Sequence, residues 1–502
     1  MSTFSIPKET NQVALLSKRD VTLTMPWFSE LSKYPPRAAN VVHPLINGER
    51  AFGAAYEAIK NAKKSIDMIG WGFDPSMRFQ RPNGLRIGEL LQQKAKAGVE
   101  VRVLVWKNAL ANFGENNIIG DGMGGSGGGT GLGSGVGRTG ATDANQGGEY
   151  NDYGGKTGSG TSGAIQQRDA DALAFNRAWF AADVNLKKLS FRTRDFSHAD
   201  QEEIAERHIA KHGMGGHKQR IAFVNFPSHH QKMILVDYEV PEDAVGFVMG
   251  HNMLRNYWDN DAHDYQSAAR EGFAPWQDLS TRVWGPVLYD LNENFSTAWM
   301  KAQPWIGYDL PISPARLAIK PSVFEAPAKQ RGNPEPAQIL RTQAQENERS
   351  ILDAYKLALV NARSYVYFEN QYFRSKEIAM HMRAMRKALK KGGWKRDFYV
   401  FVVTNVPDDH GRMTTYEMLH ALGKGQNMPE IDKEETDDGK KDKDRALRQN
   451  ELDGMHIHVC TLVASGQKIG HDMDTTRPEP FMLTKPASAT SPQIKKDPFA
   501  AP

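Results

Sequence analysis

The feature that most constrains the fold of this chain is an alternation of helix and strand patterns that occurs twice. Apolar residues at helical spacing alternate with short apolar runs of the strand type. Alternating units of this kind form parallel or mixed sheets covered by helices. The predicted helices are 51–64, 85–97, 345–363 and 376–391, and the predicted strands are 65–73, 99–106, 365–368 and 398–403.

The two halves also share residue types, at a shift of 299 or 300 positions. Chance would give fewer matches, although Ala and Lys are common in helices. We interpret the chain as an α/β protein of two duplicated lobes, each a mixed sheet flanked by helices. The matching residues are Tyr56, Ala58, Asn61, Ala62, Lys63 and Ser65 in the first half and Tyr355, Ala358, Asn361, Ala362, Arg363 and Ser364 in the second.

Glycine marks an interruption of the first lobe, because 20 of the 45 glycines lie between Gly114 and Gly163. Such a stretch cannot bury enough apolar area to offset its ordering entropy, so we expect a flexible insert at 114–163. The predicted organisation is an N-terminal segment 1–40, a first lobe 41–310, a linker 311–344, a second lobe 345–480 and a low-complexity tail 481–502.

Composition excludes several classes of protein. The single cysteine, Cys460, rules out an internal disulfide framework and a multi-cysteine zinc site. A formal charge of +4 over 502 residues tolerates an anionic substrate without demanding nucleic acid. The first residues have no apolar core of a signal peptide, and no apolar run has transmembrane length. We therefore expect synthesis in the cytoplasm, with any secretion by a leaderless route.

One segment carries the chemistry: His230-x-Lys232-x4-Asp237, with the apolar run MILV between the lysine and the aspartate. Strand alternation places His230 and Lys232 on one face. A neutral imidazole can attack phosphorus while an ammonium holds the non-bridging oxygens. Asp237 has the opposite parity and stands at the strand end, so it is expected to have a structural partner. The three residues are the candidate catalytic group.

This pattern resembles the HxKxxxxD signature of the phospholipase D superfamily. Met249-Gly250-His251-Asn252 is similar to the family's Gly-Gly-x-Asn turn, with methionine in place of the first glycine. The segment Gly70-Trp71-Gly72-Phe73 fits the strand that ends in an aromatic residue near the site. Pro275-Trp276-Gln277-Asp278 and the run FENQYF at 368–373 resemble further segments of the family's lipid-active members. The resemblance covers about 45–463.

The resemblance implies that His230 forms a phosphohistidine or serves as its general-acid counterpart. Lys232 and Asn252 would bind the substrate phosphate. Glu369 and Gln371 would position the residues that contact the substrate without touching it themselves. No metal or other cofactor is implied. Among the members of the superfamily, the chain looks most like bacterial phospholipase effectors delivered by type VI secretion.

The same resemblance implies that the second lobe is incomplete, because family members of this size carry two HxKxxxxD motifs, one in each lobe. Of the 15 histidines, only His230 is followed two residues later by lysine. His410-Gly411-Arg412 is a distant mimic, but no apolar strand follows it, and arginine does not replace lysine conservatively at a phosphate site. Three explanations stay open: a truncated copy, a split enzyme completed by another chain, and a homodimer.

The expected activity is phospholipase D-type hydrolysis of glycerophospholipids. The alternatives are a phosphatidyltransferase or nuclease on the same scaffold, and a catalytically incomplete chain that binds phospholipid or a partner. The expected partners are a phospholipid membrane as substrate and, for an effector, the secretion spike and an immunity protein. A complementing chain or a second copy follows from the missing motif, and nucleic acid is not expected.

Overall fold

The computed structural model describes residues 27–106, 171–172, 174–176, 178–180, 186–205, 229–264, 267–271, 275–405, 412–425 and 452–462. The predicted insert 114–163, the tail 481–502, the mimic at His410 and most of the N-terminal segment lie outside these residues. The chain divides into two compact units between Ile351 and Leu352.

The first unit is built on a large mixed sheet. Its strands are β1 (Arg37–Ile46), β2 (Ser65–Gly70), β3 (Glu100–Trp106), β4 (Leu189–Arg194), β5 (Met233–Val236), β6 (Val245–Met249), β7 (Leu279–Trp284), β8 (Gln303–Gly307) and β9 (Glu335–Ala337). Their order is β8-β4-β3-β2-β5-β6-β7-β1-β9. β2, β3 and β4 are parallel, and the strands on either side join them antiparallel.

Helices cover both faces of this sheet. Alternate residues of each strand point to opposite faces, and the apolar residues of each face pack in a cluster of their own. The helices are α1 (Asn47–Asn61), α2 (Ile87–Lys96), α3 (His198–Ile204), α4 (Val287–Lys301), α5 (Pro314–Leu317) and α6 (Glu325–Lys329). Ile66 and Met68 of β2 pack in the cluster that contains α1 and α2. Ile69 packs on the other face, in the cluster that contains α4.

The region 311–344 is not a free linker, which corrects the expectation from sequence. β9 pairs antiparallel with β1 at the edge of the sheet. Arg316, in α5, is 1% exposed and lies 2.7 Å from Asp67 of β2. A two-stranded ribbon follows, formed by β10 (Thr342–Gln343) and β11 (Glu348–Arg349). These contacts join residues far apart in sequence, so local periodicity could not reveal them.

The second unit contains α7 (Ser350–Asn361), β12 (Tyr365–Asn370), α8 (Lys376–Lys391), β13 (Phe398–Thr404), α9 (Arg412–Ala421) and β14 (Met455–Cys460). Its described strands are all parallel, in the order β12-β13-β14. One apolar cluster joins this sheet to the three helices. The predicted α/β class, with a mixed sheet flanked by helices, is therefore confirmed. The predicted helices and strands recur with ends shifted by a few residues.

No helix within the described ranges is both long and apolar enough to cross a membrane.

Candidate active site

His230 and Lys232 stand immediately before β5, on the segment that enters the sheet between β2 and β6. The Nζ atom of Lys232 lies 3.0 Å from Nδ1 and 3.1 Å from Nε2 of His230. Lys232 is 8% exposed, whereas His230 is exposed to solvent. An ammonium can donate only to a ring nitrogen that carries no proton, so this contact suits an uncharged imidazole.

Burial destabilises the charged form of Lys232. Desolvation lowers the pKa of Lys232 to about 8, against the opposing effect of the Asp278 carboxylate. Burial in turn raises the pKa of Asp278, although the backbone N–H of Leu279 and the charge of Lys232 oppose this. A buried ammonium with no ion-pair partner among the described residues is suited to accept an anion, because a phosphate would supply the missing negative charge.

Trp71 forms a wall beside the histidine. It follows β2, and its ring meets the His230 ring edge-on at a centroid distance of 5.5 Å. Trp106, at the end of β3, stacks on Trp71 with a centroid distance of 5.9 Å. Parallel neighbouring strands end at the same edge of a sheet, which explains why these residues meet. The sequence comparison placed Trp71 near the site but did not identify Trp106.

Asn252 lies in the turn after β6, and the last residue of β6, Met249, donates its backbone N–H to the carbonyl oxygen of Lys232 at 3.0 Å. Asn252 is 1% exposed, and neither its Oδ1 nor its Nδ2 has a hydrogen-bond partner within the described part of the chain. A buried polar group left unpaired costs about 1–3 kcal/mol, so such a group usually has a ligand or water as its partner. The amide of Asn252 is therefore suited to bind a polar ligand.

Gly250 allows this turn to pass close to Asp278. A Cβ atom at Gly250 would lie 2.1 Å from Oδ1 of Asp278 and 2.5 Å from the carbonyl oxygen of Leu279. The backbone N–H of Gly250 also donates to that carbonyl. Glycine is therefore required here by close packing.

His251 is a buried histidine of the same turn, to which sequence reasoning assigned no role. Its Nδ1 lies 2.7 Å from the hydroxyl of Ser280, and its ring packs on Phe52. Burial, reinforced by the charge of Lys232, lowers the pKa of His251 to about 3. His251 is therefore neutral at physiological pH. Its Nε2 has no hydrogen-bond partner in the described ranges.

A buried ionic cluster holds the long loop that follows the turn. The carboxylate of Asp259, fully buried, accepts hydrogen bonds from Arg270 at 3.0 Å and from the backbone N–H of Trp276 at 2.8 Å. His263 lies 2.8 Å from the same carboxylate. The cluster joins Asp259 to Arg270 and to Trp276, which are 11 and 17 residues further along the chain. Single polar residues in a loop gave no sequence signal for it.

Asp237 does not lie beside His230 and Lys232, so its prediction as a candidate catalytic residue is withdrawn. It lies beyond the far end of β5, roughly 17 Å from Lys232 by strand geometry. Its carboxylate accepts the backbone N–H groups of Lys63, Lys64 and Ser65 at 2.6–3.0 Å. Asp237 thereby holds the entry of β2 against the end of β5, which is the structural pairing that its parity predicted.

His229 also points away from His230, as alternation requires. It is buried, its ring stacks on Phe196 at 4.0 Å, and burial lowers the pKa of His229 to about 3.

Glu369 and Gln371 lie in the second unit, at and just beyond the end of β12. The Tyr367 hydroxyl donates to the Glu369 carboxylate at 2.9 Å, and the Gln371 amide donates to the Tyr372 hydroxyl at 3.2 Å. Both side chains are exposed. Their supporting role remains a prediction.

No group of three or more histidine, cysteine, aspartate or glutamate side chains could hold a metal ion in the part of the chain that the structure describes.

Comparisons with known proteins give a consistent but distant similarity. No family model matches the chain. The chain is 23% identical over 397 residues to phospholipase D alpha 1 of Oryza sativa subsp. japonica, and the matched region covers 66% of this chain and 40% of the rice protein. It is 24% identical over 489 residues to phospholipase D alpha 2 of Arabidopsis thaliana, which covers 82% of this chain and 51% of that protein. The chain thus spans about half or less of the length of these relatives.

Among solved structures, a phosphatidylserine synthase of Haemophilus influenzae Rd KW20 is 12% identical and covers 87% of this chain and 76% of its own, with a TM-score of 0.36. That score is too low for an argument about the fold. The similarity to plant phospholipases D, together with the His230–Lys232 pair and the turn at Asn252, supports a relationship of this chain to the phospholipase D superfamily.

Proposed function

We propose that this protein cleaves a phosphodiester bond of glycerophospholipids by phospholipase D-type chemistry. The single observation that carries the proposal is the buried Lys232 ammonium, 3.0 Å from the exposed His230 ring. The pair combines a nucleophile with a phosphate-binding cation, and the amide of Asn252 offers further hydrogen bonds nearby along the chain.

In the proposed reaction a ring nitrogen of His230 attacks phosphorus. The N–P bond forms as the P–O bond to the head-group alcohol breaks, and the leaving oxygen takes a proton from a solvent water. The hydroxide that remains then attacks phosphorus and breaks the N–P bond, which releases the phosphatidate and restores neutral His230. Lys232 and Asn252 hold the non-bridging oxygens, whose negative charge is largest in the transition state.

Choline release from phosphatidylcholine vesicles by the purified protein tests the proposal. We expect His230→Ala to abolish release, whereas His198→Ala, which removes a largely exposed histidine of α3, leaves it unchanged. Because the pKa of Lys232 is about 8, release should fall as the pH rises through 8, where the ammonium loses its proton. Release that survives in the His230→Ala protein would refute the proposal.

A second candidate is a catalytically incomplete chain that binds phospholipid or a complementing polypeptide. The observation that favours it is the sequence count: His230 alone, of 15 histidines, has a lysine two residues on. Phospholipase D chemistry uses one histidine to attack and an acid to protonate the leaving oxygen. Vesicle binding without choline release, with release restored by a second polypeptide, would identify the split form. Release that rises with the square of protein concentration would identify a homodimer.

The same scaffold can serve a phosphatidyltransferase or a nuclease. Adding a primary alcohol to the choline assay separates the transferase, because the alcohol then replaces water and a phosphatidyl-alcohol forms. Incubation with single-stranded DNA tests the nuclease, which the mild charge of +4 disfavours.

We further propose, from the family resemblance alone, a role as an antibacterial effector that acts on target-cell membranes. Its partners would then be a secretion spike and an immunity protein. Expression directed to the periplasm of a bacterium should arrest growth, and the His230→Ala form should not. Equal growth with both forms would remove the effector proposal without affecting the hydrolase assay.

A further inference from the structure

The two residues that flank His230 point away from it, toward the opposite face of the sheet. They are His229 and Gln231, and consecutive residues of an extended chain point to opposite faces. Regular pairing of β5 begins only at Met233, so the strand ladder does not hold residues 229–231. The direction of the His230 side chain therefore depends on contacts of this short segment with other parts of the fold.

One buried amide contacts both flanking side chains. Gln343, the last residue of β10, is 3% exposed. Its Oε1 accepts a hydrogen bond from the side-chain amide of Gln231 at 3.2 Å, and its Nε2 lies 3.4 Å from Nδ1 of His229. An amide N–H can only donate, so Nδ1 of His229 is the acceptor of this contact. The Gln343 side chain thus joins the residues immediately before and after His230.

Helix α4 supplies a second contact to Gln231. The Nδ2 group of Asn294 donates to Oε1 of Gln231 at 3.1 Å. Oδ1 of Asn294 in turn accepts from the guanidinium of Arg341 at 3.1 Å. Asn294 and Arg341 are 7% and 6% exposed, so these bonds are made largely out of contact with water. Both ends of the Gln231 amide therefore have a partner.

Arg341 also anchors the ribbon that carries Gln343. It directly precedes β10, and its Nε donates to the Glu348 carboxylate of β11 at 2.6 Å. Its Nη2 donates to the Glu346 carboxylate at 2.6 Å, and Lys301 of α4 pairs with Glu346 at 3.0 Å. A buried arginine of this kind resists displacement, because breaking one of its ion pairs leaves an unpaired charge in the interior.

These contacts form a closed loop, which runs from Gln231 to Gln343, along the ribbon to Arg341, through Asn294 and back to Gln231. Its members come from positions 231, 294 and 341–348, so only the folded chain brings them together. A satisfied hydrogen-bond network rigidifies the segment that it holds. The loop lies on the face opposite His230, so it can orient that residue without contacting a substrate held there.

We propose that Gln343 is a positioning residue for His230. By holding both neighbours of His230 on one face of the segment, its amide directs the imidazole to the other face. There the His230 ring lies 3.0 Å from Nζ of Lys232 and meets the Trp71 ring edge-on. The inference rests on the proposed function, because the position of His230 limits the rate only if this residue attacks phosphorus. A displacement of about 1 Å in a reacting group can lower the rate about 100-fold.

The kinetics of choline release separate positioning from binding. Gln343→Met keeps the length of the side chain and removes the amide, so His229 and Gln231 lose their common partner. We expect kcat to fall by about 10–100-fold while KM stays within about twofold, because the phosphate-binding groups are unchanged. The control is Thr342→Val in the same strand, an exposed residue whose substitution should change neither constant.

A double-variant cycle tests whether Gln343 acts through Gln231. Gln231→Met removes the other half of the same hydrogen bond, so it should lower kcat by a similar factor. Because both residues act through their mutual contact, the protein with both substitutions should be no slower than the slower single variant. Independent effects would instead multiply. Gln231→Met also carries the test if Gln343→Met does not fold.

The nuclear magnetic resonance spectrum of the histidines gives a readout that needs no turnover. With the ring Cε1 isotopically labelled, the His230 signal is identified by its loss from the His230→Ala protein. In the wild type the ring lies beside Trp71, so its signal should differ from that of the largely exposed His198. We expect Gln343→Met to move the His230 signal toward that of His198 and to leave the His251 signal unchanged.

The proposal is overturned if kcat of the Gln343→Met protein stays within about threefold of the wild-type value, or if KM rises as much as kcat falls. It is also overturned if the effects of the two substitutions multiply, or if the His230 signal keeps its wild-type position without the Gln343 amide. If the wild type releases no choline, the proposed function fails, and the histidine spectrum alone decides whether Gln343 positions His230.

Discussion

Replacing Lys232 by methionine should abolish activity and stabilise the fold. Methionine has a similar length and no charge, so the side chain can keep its packing beside β5. The wild-type protein must keep an ammonium at a site that is only 8% exposed, which is why the pKa of Lys232 falls to about 8. A charged group that activity requires at a buried site lowers the stability of the folded protein, so its removal is expected to raise stability and abolish activity.

The magnitude follows from this pKa. A fall from 10.5 to about 8 corresponds to roughly 3 kcal/mol of preference for the uncharged amine in the folded state. The variant also loses the hydrogen bond to His230, worth about 1 kcal/mol. We therefore expect Lys232→Met to raise the free energy of unfolding by about 1–3 kcal/mol at pH 7.

The pH dependence gives the sharper test. Below pH 8 the amine is protonated in both states, so the wild type bears the whole cost. Between about pH 8 and 10.5 the unfolded state keeps a proton that the folded state releases, so wild-type stability rises with pH. The advantage of the variant should therefore be constant below pH 8 and disappear toward pH 10.5.

Urea unfolding at pH 6 to 10, followed by tryptophan fluorescence, measures these differences. Lys96→Met, on the exposed side of α2, is the control and should change stability little at any pH. A Lys232→Met protein that is less stable than the wild type at pH 7, or whose advantage does not vary with pH, would refute the reasoning.

Three further substitutions test the framework of the site. Gly250→Ala places a Cβ 2.1 Å from the Asp278 carboxylate, so we expect a loss of about 2 kcal/mol in urea unfolding and lower choline release; unchanged values would contradict the close packing. Asp237→Asn removes a carboxylate that accepts backbone N–H groups, and should cost about 2 kcal/mol while leaving the catalytic pair in place, so that residual folded protein keeps its turnover. Arg316→Leu leaves Asp67 buried with one partner fewer and should cost about 3 kcal/mol in thermal or urea unfolding; a neutral effect would indicate that the ion pair is dispensable.

Much of the fold was predictable because strand and helix periods are local properties. The run MILV identifies β5, and its alternation correctly separates His230 and Lys232 from His229. The repeat at a shift of about 300 positions predicted a duplicated lobe with a mixed or parallel sheet, and β12 and β13 pair in parallel as β2 and β3 do. The predicted α8 matches the structure at both ends.

The linker prediction was wrong for a physical reason. Residues 311–344 have many prolines and weak periodicity, which is typical of connecting segments. Their order comes from partners far away in sequence: β9 adds to β1, and Arg316 reaches Asp67 through the core. Such contacts depend on the assembled sheet, and no short window of sequence contains both partners.

The amino-acid sequence by itself predicted which residues are chemically suited to attack and hold a phosphate, and that His230 and Lys232 lie on one side of the segment that leads into the buried strand β5. Tertiary structure decided how those residues behave. Lys232 is buried and has a lowered pKa, the buried Asn252 amide has no hydrogen-bond partner among the residues that the structure describes, and Asp237 lies beyond the far end of β5. The reason is that residue type and period are carried by neighbours along the chain, whereas burial and electrostatics are set by residues that only folding brings together.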